Sequence, residues 1–294
     1  MFKKFRNILL LSLLGLASCS QGADEPIPAT GTEGNDGMHS VELAVSRATL
    51  DEFATAGIDK YTIFIYKIDR KGTTLFAEKE VTANNEKVTM EFSLGDNFQT
   101  FLVANASNIT GKESLETVAI HLDPASSKQV WMSTPVRFAS DKSTNTVSVT
   151  LRRIVSLIDF VPAETDAELA AQSDFDRVDL TFGNVATEYM VGAGAAVATT
   201  YTASTDAARG YKTSFYTFET SALDDATLAI NYYKGGNVVN TSAGILETAT
   251  KFAANNHYTV SVPLTSPSFI ERPWSTLSCR ANLPAAISVT KTAL

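Results

Sequence analysis

Cysteine is almost absent: two residues, Cys19 and Cys279, in a chain of 294 cannot form a disulfide framework. Histidine is equally scarce, and His39, His121 and His257 stand far apart, none in an HExxH or other close metal-ligand spacing. Basic residues number 24 against 32 acidic ones, a net charge of −8, and the body carries no basic block. A surface that repels phosphate excludes nucleic acid as a partner. No serine stands in a G-x-S-x-G elbow. Gly192-Ala193-Gly194-Ala195-Ala196-Val197 opens like a dinucleotide loop but places Val where the third Gly belongs. Asp224-Asp225, between Ser221 and Thr227, read as turn residues, and Cys279, with no His or Cys nearby, reads as an inert thiol. No catalytic set, metal or cofactor is expected, and the chain is not read as an enzyme.

What is present divides into a head and a body. Lys3, Lys4 and Arg6 precede the apolar run Ile8 to Leu16, too short to span a bilayer and typical of a secretory signal. The run closes on Leu16-Ala17-Ser18-Cys19, which matches the lipobox of bacterial lipoproteins. Residues 1–18 are therefore expected to be removed as a signal peptide and Cys19 to be acylated, holding the product on the outer membrane. Residues 20–37 are acidic and rich in Gly, Pro and Thr. Such a stretch cannot bury a core and reads as a flexible tether.

The body, 44% hydrophobic over the whole chain, alternates with period two. Val41-Leu43-Val45, Tyr61-Ile63-Ile65 against Thr62-Phe64-Tyr66, Val88-Met90-Phe92-Leu94, Val147-Val149-Leu151, Val178-Leu180-Phe182, Leu228-Ile230-Tyr232 and Tyr258-Val260-Val262 all read as strands. Asp69-Arg70-Lys71-Gly72, Leu94-Gly95-Asp96-Asn97 and Lys234-Gly235-Gly236-Asn237 supply turn chemistry between them. One helix is expected, Glu164 to Gln172, and Thr187 to Arg209 reads as a long loop. The fold class is all-β: two antiparallel β-sandwich domains, residues 48–152 and 153–294, behind a segment 19–47 that carries the tether and a first strand. Trp131, Tyr232 and Tyr233 are the aromatics that a sugar-binding platform would use; the ordinary place for a lone Trp in a sandwich is the core.

The order of these pieces resembles the FimA-type fimbrillins, also called type V pilins. The likeness rests on Glu33-Gly34-Asn35 leading into His39 to Ala48, on Ile58 to Tyr66, on Phe101-Leu102-Val103-Ala104-Asn105-Ala106, on Leu151 to Val155, and on Asn255-Asn256-His257-Tyr258-Thr259-Val260. Each piece is degenerate; their order is the more specific signal. The resemblance implies transthyretin-like sandwiches, export as a lipoprotein, and cutting by an arginine-specific protease at Arg47-Ala48. That cut is expected to free an edge strand and uncover a hydrophobic groove. The C-terminal tail, where Leu283, Ala285, Ile287 and Val289 share one face, reads either as a donor strand for a neighbouring copy or as a last strand returning to its own sheet, and the resemblance implies donation. Partners are then copies of the chain, other fimbrial subunits, the outer membrane through Cys19, the protease, and surface ligands of unstated kind. An anchor subunit whose groove stays filled, or a glycan-binding surface lipoprotein, are the alternative readings.

Overall fold

Strands whose apolar residues fall on alternate positions must pair before they can bury that face, and the chain does so repeatedly. The structure, a computed structural model, describes residues 37–46, 57–83, 87–220, 226–247, 252–265 and 288–293. In chain order the first half supplies β1 (Met38–Ser46), β2 (Lys60–Asp69), β3 (Gly72–Thr82), β4 (Lys87–Ser93), β5 (Asn97–Ala104), β6 (Asn108–Thr110), β7 (Ala119–His121), β8 (Trp131–Met132), β9 (Val136–Ala139), β10 (Thr146–Thr150) and β11 (Arg152–Arg153). The second supplies β12 (Val155–Pro162), helix α1 (Asp166–Ala171), β13 (Arg177–Met190), β14 (Ala195–Asp206), β15 (Thr213–Phe218), β16 (Ala226–Lys234), β17 (Asn237–Glu247), β18 (Asn256–Val262) and β19 (Ser288–Ala293). These strands lie in the unit that begins at Gly37.

They form four sheets, ordered β10-β1-β4, β11-β8-β5-β2-β3 with β9 on β5, β15-β12-β18-β19, and β17-β16-β13-β7-β6 with β14 on β13. Three cores fill the spaces. Val41, Leu43, Ile63, Ile65, Phe92 and Phe98 belong to one, Phe160, Val178, Phe182, Phe215 and Tyr258 to another. A third gathers Phe64, Tyr66 and Phe101 with Ile120, Val155 and Phe218. Alternate residues of β2 thus enter different cores, which is why Tyr61 to Tyr66 is apolar on both faces.

The two small sheets repeat one plan. β1 runs parallel to β10 and antiparallel to β4, and β12 runs parallel to β18 and antiparallel to β15. These parallel pairs depart from the wholly antiparallel pattern that alternation suggested. They arise because each half returns its closing strand beside its opening one, a pairing that local sequence does not encode.

Local chemistry explains the remaining elements. Gly235 and Gly236, with φ of 56° and 84°, make the tight turn of the β16–β17 hairpin, where paired positive φ values are required. Helix α1 is shorter than the expected Glu164 to Gln172. Thr165 caps it, the Glu168 amide donating to the Thr165 hydroxyl at 3.3 Å while the Thr165 amide donates to the Glu168 carboxylate at 2.8 Å. The expected loop from Thr187 to Arg209 is instead the end of β13, a turn and β14, paired antiparallel. Residues 197–200 are exposed, so β14 needs no apolar alternation; Thr199, Thr200, Tyr201 and Thr202 give it strand propensity without a period to read.

Tyr66 is fully buried, and its hydroxyl has no hydrogen-bond partner among the described residues. Burial, aided by Glu78, Glu113 and Glu116, pushes its pKa up. The folded state therefore keeps this proton where the unfolded chain loses it, so stability is retained below pH ~10 and falls as pH rises beyond. Tyr66→Phe is expected to be neutral or stabilising by about 1 kcal/mol at pH 7, since it removes an unsatisfied group. Urea unfolding at pH 7 and at alkaline pH should show that gain and a flatter alkaline decline.

Candidate functional site

The first strand is the structural feature most at odds with an ordinary sandwich. Val41, Leu43 and Val45 point inward and are 0%, 0% and 6% exposed, a degree of burial that follows from their spacing of two. The sequence reading placed β1 at an edge. It is instead the middle strand of its sheet, Leu43 standing opposite Val147 of β10 and Val88 of β4. The walls of its slot are Val147, Val149, Val88 and Phe92, all buried. Their alternation marked them as strand residues; their pairing across long sequence separations was not legible.

Polar contacts pin the strand's outer side. The Glu42 carboxylate meets Lys87 Nζ at 3.0 Å, and the Glu42 amide donates to the Asn145 carbonyl at 2.9 Å. His39 Nε2 lies 2.7 Å from the Thr144 carbonyl, which it reaches as a donor. Thr144 belongs to a turn organised by Asp141. The Ser143 hydroxyl, then the Ser143 amide and the Thr144 hydroxyl and amide, hold the Asp141 carboxyl below its usual range. Glu42 and Lys87 are surface groups, and their pair contributes at most about 1 kcal/mol. The buried aliphatic trio holds β1 far more than its charges do.

Arg47 and Ala48 lie outside the described residues, as does Cys19. So do Leu283, Ala285 and Ile287 of the tail. Val289 falls in β19, which lies antiparallel on β18 with Val289 opposite Val260. β19 is the outermost strand of its sheet, bonded along one side, whereas β1 is bonded along both. By the repeated plan, β18 corresponds to β10, and β10 pairs with β1 alone among the described strands.

The aromatic platform is not formed. Trp131 is buried in the first core at 7% exposure with Arg153 over its ring at 5.1 Å, and Tyr232 is 3% exposed against Phe175. The Arg177 guanidinium covers Tyr233 at 3.9 Å. These rings are core or already stacked, as the packing of large apolar groups favours. The histidines stay apart: His121 pairs with Thr110 and Glu188, and His257 with Asp159 at 2.6 Å. Among the described residues no group of three or more His, Cys, Asp or Glu side chains is placed to hold a metal ion. Gly192 and Gly194 lie in the turn between β13 and β14, a strand-to-strand connection unlike a dinucleotide loop. Asp224-Asp225 and Cys279 lie outside the described residues.

No protein-family model matches the chain, and no curated protein matches it. Solved structures do. A candidate adhesin from Bacteroides ovatus is 10% identical, covering 81% of this chain and 94% of its own, with a TM-score of 0.53. A candidate polysaccharide-binding protein from Bacteroides thetaiotaomicron is 13% identical, covering 77% and 92%, with a TM-score of 0.52. A candidate adhesin from the same species is 11% identical, covering 81% and 94%, with a TM-score of 0.50. At such identities the likeness is one of fold, an all-β sandwich.

Proposed function

We propose that the chain is a non-enzymatic structural subunit of a cell-surface fimbria that supports adhesion. It is exported as a lipoprotein through Cys19, cut between Arg47 and Ala48 by an arginine-specific protease, and polymerised by strand exchange. The observation that carries this reading is the central position of β1, with Val41, Leu43 and Val45 buried, immediately before Arg47. Removing a middle strand opens a slot with unpaired backbone on both sides and an apolar floor, which only another extended segment fills well. The sequence from Leu283 to Val289 carries apolar residues at spacing two, as Val41, Leu43 and Val45 do. A strand bonded along one side, like β19, gives up fewer contacts on leaving. Contact of this head-to-tail kind does not close, so it propagates a fibre. The adhesin descriptions of two structural neighbours accord with a surface role.

Material sheared from cells tests the reading: N-terminal sequencing is expected to begin at Ala48. Recovery of acylated Cys19 as the only N-terminus would remove the polymerising subunit and leave the anchor form, in which β1 keeps its slot.

A further inference from the structure

The edge of a sheet exposes a row of unpaired amides and carbonyls that recruits another strand unless something blunts it. Most edges of this fold are blunted. β3 carries Glu78, Lys79 and Glu80 and a register shift at Phe76. β4 holds Lys87 and Glu91, and β19 holds Lys291. β17 is interrupted by shifts at Val239 and Leu246. β15 is covered where the Tyr216 amide donates to the Pro124 carbonyl at 3.0 Å, and β10 is only 5 residues long.

β14 has none of these devices. From Ala195 to Thr205 it carries no charge, no proline and no glycine. Among the described residues it pairs with β13 alone, and the extra residues of the two register shifts lie in β13, so β14 itself runs unbroken. No other backbone hydrogen bond among the described residues reaches Ala195 to Ala203. Residues 197–200 are all exposed, Val197 by 51%.

What fits such an edge is an extended, uncharged segment that has a free edge of its own. A charged strand would have to set an ammonium or a carboxylate against Ala and Thr and give up its hydration. Among the described edges, β14 meets that requirement best, so its fitting partner is β14 of a second copy. The chain carries a net charge of −8, and copies repel wherever their carboxylates meet. This neutral stretch lets them approach. We infer that β14 is a homotypic docking edge, two copies pairing antiparallel about a two-fold axis at Thr199. In that register Val197 of each copy stands opposite Tyr201 of the other, a β-branched residue against an aromatic one. Such an isologous contact closes at two chains and ties neighbours side by side. One pair of short strands is smaller than the roughly 1,200 Å² of a stable complex, so dilute free chains stay monomeric, while arrayed copies gain by multivalency. The contact needs neither cleavage nor the tail and stands apart from the assembly reading.

The test uses uncut chain beginning at Ser20, with Cys279→Ser and one cysteine at Thr199 or, as comparator, at Ala195. In the inferred pair the two Thr199 Cα atoms lie about 4.5–5.5 Å apart, within disulfide reach, and the two Ala195 Cα atoms about 26 Å apart. Mild oxidation at high protein concentration is expected to give dimer and no larger species from Thr199→Cys, in several-fold excess over Ala195→Cys. Adding Val197→Lys, which plants the kind of charge that guards other edges, should lower the yield to that of the comparator. If Val197→Lys shifts the thermal midpoint, Thr200→Lys at its exposed neighbour decides instead. The inference is overturned if Thr199→Cys gives no more dimer than Ala195→Cys, if larger multimers form, or if the dimer survives the added charge. Fibres formed by chains that give no such dimer would overturn this inference and leave assembly intact. Dimers of chains that never polymerise would do the reverse.

Discussion

Cutting the chain after Arg47 is expected to convert a monomer into a self-associating species. Uncut protein beginning at Ser20 should elute as a monomer, and the same protein after an arginine-specific protease should form a ladder of oligomers or visible fibres. The magnitude follows from burial. Val41, Leu43 and Val45 together lose about 4.5–9 kcal/mol of burial when β1 leaves, at about 1.5–3 kcal/mol per side chain. That is comparable to the whole stability of an ordinary domain, about 5–15 kcal/mol. In addition, β10 and β4 each lose a hydrogen-bonded neighbour. An open slot of this kind does not persist in water; it is refilled or the sheet unravels. Size-exclusion chromatography with light scattering reads the outcome. A cut chain that stays monomeric with an unchanged thermal midpoint would show that β1 keeps its slot after cleavage and that the slot is not a receptor.

Ending the chain at Thr265 is expected to abolish fibre growth while leaving the fold intact. The deletion removes β19, which among the described residues is hydrogen-bonded to β18 alone, and keeps every buried residue of the second core, from Ile158 to Leu264. After cleavage, such a chain still offers an open slot but has no strand to donate. Mixed with intact cut chain it should cap fibres, shortening them in proportion to its share. Circular dichroism and a urea midpoint close to the full-length value would establish that folding survives. Fibres of normal length from the truncated chain alone would contradict donation by the tail.

Much of the fold is legible in the sequence because a half-buried strand leaves a period of two. Val41-Leu43-Val45 and Tyr258-Val260-Val262 announce themselves that way, and so does the Gly235-Gly236 turn. Two features are not legible. β14 hides because residues 197–200 are exposed and its inward residues Tyr201, Ala203 and Thr205 are few and include a polar Thr, so no apolar period stands out. The middle position of β1 hides because Leu43 pairs with Val88 and Val147, both far along the chain, and a strand's own residues do not state which neighbours flank it. The aromatic residues misled for the opposite reason: Trp131 and Tyr232 suit a binding face chemically, yet their area is worth more inside.

The central claim is that the slot vacated by β1 receives the tail of another copy, and disulfide trapping tests it directly. Cysteine is placed at Val147, opposite Leu43 in the slot, and singly at Leu283, Ala285, Ile287 or Val289, in a background beginning at Ser20 with Cys279→Ser. Bridging requires Cα atoms within about 7 Å. After cutting at Arg47 and mild oxidation, a ladder of cross-linked multimers is expected from one or more of these four positions, which share a face, and not from cysteine placed at Ala286 or Ser288 between them; uncut chain should give none. Cross-links confined to single chains, or equal multimers with and without cutting, would contradict the account.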